Sequence, residues 1–153
     1  MRLQRSIDIA RPPAVVFAAL TSAKGSPAWG GDAVELQQTE DGQIGLGSTA
    51  RVHLTFLNRS LDSTYEITAF DPGTGFTAET LQPFPVAFTW TVASTEGGAR
   101  VTGTLEMQPG GFARLAGPLV KQAAGRQLRE GLEALKEALD DEPELAFVRR
   151  GSS

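Results

Sequence analysis

Hydrophobic and polar positions alternate with period two over seven stretches of this chain, and recur at helical spacing near each end. Leu3, Arg5, Ile7 and Ile9 alternate with Arg2, Gln4, Ser6 and Asp8. That pattern predicts a strand with Ile7 and Ile9 facing inward. Pro12 and Pro13 end it and suit a first helical turn, where proline's missing N–H costs nothing. Residues 14–20 then place Val16, Phe17 and Leu20 on one helical face. Ser22 can cap a second short helix, which Gly25 and Pro27 limit. Trp29 and the Gly30-Gly31 pair lead back toward a sheet.

The middle of the chain reads as strands joined by tight turns. A short strand is predicted over 34–38. Residues 49–57 set Ala50, Val52, Leu54 and Phe56 against Arg51, His53 and Thr55. Asn58, Arg59 and Ser60 mark a turn. Residues 64–70 place Tyr65, Ile67 and Ala69 on one side. In Asp71-Pro72-Gly73, proline fixes φ and glycine supplies positive φ. Phe76, Ala78 and Thr80 alternate with Thr77, Glu79 and Leu81; Val86, Phe88, Trp90 and Val92 alternate with Ala87, Thr89, Thr91 and Ala93. After a turn at Gly97-Gly98, Val101, Gly103, Leu105 and Met107 oppose Arg100, Thr102, Thr104, Glu106 and Gln108. One dry and one wet face, repeated at hairpin spacing, describes an antiparallel sheet with one side in water.

Past Pro109-Gly110-Gly111 the period changes. Leu128, Leu132, Leu135 and Leu139 form a helical stripe on a helix expected from near Phe112 to about Asp141. Gly117-Pro118 implies a kink or a late start. Arg126 with Glu130, and Arg129 with Glu133, are spaced to pair. This is the only long element available to cover the dry face of a curved sheet, so the arrangement predicts an enclosed pocket.

Composition narrows the function. The length of 153 residues suits one domain, expected over 1–142, with 143–153 as a mobile C-terminal tail. Fourteen basic against eighteen acidic residues give a net charge of -4 without a basic block. That disfavours nucleic acid as a partner, because its binding rests on phosphate neutralisation. No stretch approaches the ~20 apolar residues of a membrane span, and no signal-like run opens the chain, so a cytoplasmic protein without stable membrane insertion is expected. The absence of cysteine excludes disulfides and thiolate chemistry, and the single His53 cannot build a His-rich metal site. No metal and no cofactor are expected; a monomer or weak homodimer is.

Several short motifs keep a familiar order. They are Pro12, Pro13, Val16 and Phe17 at the first helix, Trp29 after the second, Gly45 and Gly47 ahead of a strand, and Asp71-Pro72 at a turn. Gly97, Gly98, Arg100, Val101 and Thr102 then open a strand, and Leu132, Leu135 and Lys136 lie in the last helix. Together they resemble the START/Bet v 1-like (SRPBCC) superfamily, in its bacterial polyketide cyclase/dehydrase-like branch. The resemblance runs from Leu3 to about Asp141. It implies an α+β helix-grip fold: a seven-stranded curved antiparallel sheet around a long C-terminal helix, with two short helices after the first strand. It also implies a cavity for an apolar or amphipathic small molecule, but no single activity.

With the dry faces inward, the cavity wall is expected to include Val52, Leu54, Phe56, Tyr65, Ile67, Phe76, Ala78, Phe88, Trp90, Leu105 and Met107. Phe17 and Trp29 join it from the short helices, and Phe112, Leu115 and Leu119 from the last one. Tyr65, Thr80 and the Trp90 indole N–H are its polar handles. The alternative is that the same side chains fill a solid core. The titratable strand residues Arg51, His53, Glu66, Glu79, Arg100 and Glu106 all fall on the wet face by parity, which a bulge would reverse. Gly45-Leu46-Gly47 lacks the third glycine of a dinucleotide loop. Three readings follow: binding of a lipid-like or polyketide-like small molecule without catalysis; a cyclase or dehydratase with Tyr65 as its weak catalytic candidate; and a protein-interaction module, which the Thr-rich wet face disfavours.

Overall fold

The computed structural model describes residues 2–21, 33–37, 45–56, 58–81, 85–107 and 117–140. Its elements are β1 (Arg2–Ile9), α1 (Pro13–Leu20), β2 (Ala33–Gln37), β3 (Thr49–Phe56), β4 (Arg59–Asp71), β5 (Gly75–Thr80), β6 (Val86–Thr95), β7 (Gly98–Met107) and α2 (Gly117–Asp140). The expected second short helix and the C-terminal tail lie outside the described residues.

The seven strands form one antiparallel sheet in the order β1-β7-β6-β5-β4-β3-β2. Consecutive hairpins build β2 to β7. The first strand then pairs with the last, Arg2 opposite Glu106 and Ile9 opposite Ala99. Asp8 and Arg100 face each other in that register, and the guanidinium donates to the carboxylate at 2.8 and 3.3 Å. The hydrogen bond from Arg100 holds the Asp8 carboxyl below the usual carboxylate range. Both groups are exposed, so the pair aligns the strands more than it stabilises them.

Two strand expectations are corrected. Residues 59–60 are strand and not turn. Asn58 takes φ 63, a conformation asparagine tolerates, so the reversal is complete before Arg59, which pairs with Phe56. In β4 the register slips between Ile67 and Ala69. This bulge at Thr68 turns Ala69 outward and Phe70 inward. The Gly45–Ser48 turn packs against the same place: the Gly47 N–H donates to the Ile67 carbonyl at 2.9 Å, and the Ile67 N–H to the Ser48 carbonyl at 2.8 Å. Those glycines serve strand pairing.

The core lies between the sheet's inward face and the two helices. α1 buries Val16, Phe17 and Leu20, and packs over β6 and β7. α2 packs chiefly along β1, burying Leu128, Leu132, Leu135 and Leu139 as its stripe requires. Of the expected pairs on its outer face, neither Arg126–Glu130 nor Arg129–Glu133 forms; both arginines line a cleft toward β1. Lys136 pairs with Asp140 instead, at 2.9 Å.

Gly103 sets how closely α2 approaches. It pairs with Trp90 across β6 and β7, and a Cβ there would lie 2.6 Å from Trp90 Cζ3 and 3.0 Å from Leu128 Cδ1. The absent side chain is the space in which the indole and the leucine meet. Leu128 can rotate away, but the fully buried indole has nowhere to go. Gly103→Ala is therefore expected to destabilise the fold by roughly 1–3 kcal/mol, the usual cost of overpacking. Urea unfolding measures it, and an unchanged midpoint would show that the indole is not confined.

Candidate functional site

The inward face is organised in rows that cross the sheet, because paired residues in an antiparallel ladder share a side. One row runs Leu3, Leu105, Phe88, Ala78 and Ile67. The next runs Arg5, Gly103, Trp90, Phe76 and Phe70. Aromatic rings cluster where the rows meet β5 and β6. Phe88 stacks on Trp90 with centroids 5.8 Å apart and planes 4° from parallel, and Tyr65 tilts against Phe88 at 5.7 Å. At the other end, Phe17 of α1 meets Phe70 and Phe76 edge-on at 5.7 and 6.1 Å.

Many of the residues expected to line a cavity belong to the core. Phe17, Val52, Tyr65, Ile67, Phe76, Ala78, Trp90, Leu105 and Met107 are buried, and Phe88 is half-buried beside them. Leu119 is corrected: it is 57% exposed, on the side of α2 away from the Leu128–Leu139 stripe. Trp29, Phe112 and Leu115 lie outside the described residues, as do the side chains of Leu54 and Phe56. The pattern missed Phe70, since nothing in residues 64–70 announces the bulge that turns it in.

Two polar groups interrupt this apolar face. Trp90 is 0% exposed, and among the described residues its indole Nε1–H has no hydrogen-bond acceptor. Buried donors without a partner are rare and costly, and each one needs a cause. The Tyr65 residue is 4% exposed, and burial pushes its phenol up to about 12. It therefore stays neutral across the physiological range and acts as a donor, never as a phenolate base. Thr80 adds a buried hydroxyl beside these two.

The titratable strand residues lie outside, as parity requires. Arg51, Glu66, Glu79, Arg100 and Glu106 are exposed. His53 is half-exposed and meets Asp62, its partner in the β3–β4 register, at 2.5 Å. Among the described residues no group of three or more His, Cys, Asp or Glu side chains is arranged to hold a metal ion, and no helix is long and apolar enough to cross a membrane. The inward face thus offers van der Waals surface and neutral donors.

Comparisons with known proteins agree with this architecture. The model of the family described as "Polyketide cyclase / dehydrase and lipid transport" matches residues 1–140. No curated protein matches the chain. Among solved structures, the Zhui aromatase/cyclase from Streptomyces sp. R1128 is similar at a TM-score of 0.72 and 13% identity, over 95% of each chain. A START superfamily protein from Mycobacterium smegmatis is similar at 0.71 and 13%, over 91% of this chain and 97% of that one. The Aha1 dimer from Colwellia psychrerythraea is similar at 0.65 and 17%, over 92% and 97%. Likeness at such low identity concerns the fold. The curved sheet and C-terminal helix are the fold shared with these structures, START superfamily protein included, and the family match shows that the chain belongs to the polyketide cyclase/dehydrase and lipid transport family.

Proposed function

We propose that the protein binds an apolar or amphipathic small molecule, lipid-like or polyketide-like, against the inward face, and that it does so without catalysis. The observation that carries this reading is the Trp90 indole N–H, buried with no acceptor beside the Phe88 and Tyr65 rings. A ligand carbonyl or hydroxyl satisfies that donor while its carbon skeleton covers the aromatic rings. Apolar burial drives such binding at roughly 25 cal/mol per Å² before ordering costs, and a few polar groups fix the orientation. The family's own range, from polyketide chemistry to lipid transport, fits the same chemical class.

A second reading is supported by Tyr65. A buried phenol held neutral, on the face where a substrate lies, is suited to donate a hydrogen bond to an oxygen that gains charge during cyclisation or dehydration. A cyclase of this type loses turnover in Tyr65→Phe while substrate affinity is nearly kept. A carrier shows no turnover in either form.

Three measurements test these readings. Mass spectrometry of an organic extract of the purified protein should yield a stoichiometric apolar compound. If the extract is empty, titration with the neutral dye N-phenyl-1-naphthylamine should still show saturable 1:1 binding. In Phe88→Ala that binding should weaken by about tenfold, the scale of a lost aromatic contact plus its buried area, with the fold intact. Equal affinity in Phe88→Ala and the parent protein would remove the inward face from consideration. The third is a pH titration. Tyr65 is the sole tyrosine, so ultraviolet absorbance follows it alone. Its ionisation is expected at about 12 and not at 10. Because the unfolded chain ionises first, this group leaves stability flat below pH 10 and lowers it as pH rises toward 12. Ionisation near the ordinary value in the folded protein would place the phenol in water.

A further inference from the structure

Two residues of this chain break the rules of their own elements, and they touch each other. Arg5 stands in the inward row of β1, between Leu3 and Ile7, where the pattern calls for an apolar side chain. Gly125 stands in the interior of α2, where glycine is the least favourable residue after proline. A Cβ at Gly125 would lie 2.9 Å from the Arg5 guanidinium. The missing side chain is the seat of the arginine. Local violations that coincide in space mark a position kept for something other than folding.

The guanidinium forms part of the wall of a cleft between β1 and α2, of about 450 Å³, lined by Leu3, Arg5, Lys121, Gln122, Arg126 and Arg129 around Gly125. Four of these residues are cationic and none is acidic, in a protein whose net charge is -4. Among the described residues, none of the four is in an ion pair. Arg5 donates only to the neighbouring Gln4 carbonyl, at 2.8 Å. The acids one helical turn from Arg126 and Arg129 do not draw them away. Like charges gathered on two elements repel, and an anion seated between them would relieve that repulsion.

We infer that the β1–α2 cleft binds a phosphate-class anion, with Arg5 and Arg126 gripping it from opposite walls and Lys121 and Arg129 adding charge. Guanidinium groups match the paired oxygens of such an anion, and the Gln122 amide supplies a further donor. The cleft is open to solvent, so binding weakens with added salt. The inference is independent of the ligand proposed for the inward face. The anion can be a soluble phosphate ester or the headgroup of an anionic lipid.

Pyrophosphate, titrated by calorimetry at low ionic strength, is the first probe; vesicles of phosphatidylcholine with and without phosphatidic acid are the second. The parent protein is expected to bind at least one of them saturably. Binding of pyrophosphate assigns a soluble phosphate, and binding of the phosphatidic acid vesicles alone assigns a lipid headgroup. Arg5→Gln and Arg126→Gln are each expected to weaken that binding by about tenfold. Lys136→Gln, which removes a cation elsewhere on α2, leaves it unchanged. Gly125→Ala provides a readout that a purely structural role does not move. Alanine favours the helix, so the thermal midpoint holds or rises, while the displaced Arg5 lowers affinity severalfold. No saturable binding of either probe at millimolar pyrophosphate, or equal affinity in the parent and both arginine variants, overturns the inference.

Discussion

The fold depends on one constraint: the inward face of a seven-stranded antiparallel sheet must be covered, and two helices do most of it. α2 lies along β1 with its leucine stripe down, and α1 sits over β6 and β7. Between them the sheet supplies its own large rings, Tyr65, Phe76, Phe88 and Trp90, so that apolar surface is provided by the strands as much as by the cover. Apart from Arg5 on the edge strand β1, the polar groups described in this layer are neutral. The other charged strand residues described are held outside by the pleat, and the sheet thereby separates ionic chemistry from apolar contact.

The row from Arg5 through Gly103 and Trp90 to Phe76 and Phe70 shows how narrowly that separation is drawn. Within five strands it passes from a solvent-open cation, through a position with no side chain, to a fully buried indole and then to the aromatic cluster under α1. The two glycines that let α2 settle, Gly103 beneath Leu128 and Gly125 above Arg5, serve opposite neighbours, one apolar and one charged. Within one turn the helix thus meets an apolar neighbour and a charged one.

Much of this was legible in the amino-acid pattern. Alternation placed Tyr65, Ile67, Phe76, Ala78, Trp90, Leu105 and Met107 inward, because burial of one face leaves the pleat no freedom. The leucine stripe of α2 was equally plain. The failures are local and share a cause. Parity carries no mark of an inserted residue, so the bulge at Thr68 hid Phe70 and misplaced Ala69. Asn58 takes a left-handed backbone angle in the reversal ahead of Arg59, which the run of polar residues 58–60 did not distinguish. Leu119 is nine residues from Leu128, half a turn out of phase with the buried stripe, so helical spacing alone puts it on the exposed side. The cleft beside Arg5 could not be read from one element, since it exists only when β1 and α2 are side by side.

The pairing of β1 with β7 has a consequence for how the chain reaches this state. Arg2 finds its partner at Glu106, so the earliest of the seven strands pairs only once the latest is present. The hairpins from β2 to β7 close short loops and can assemble in order, whereas β1 must wait for a closure that spans most of the chain. Until then β7 has an open edge and α2 lacks the strand it packs on. β1 acts as the latch of the whole assembly, and a chain that stops before Gly98 has the strands from β2 to β6 but not the one on which β1 closes.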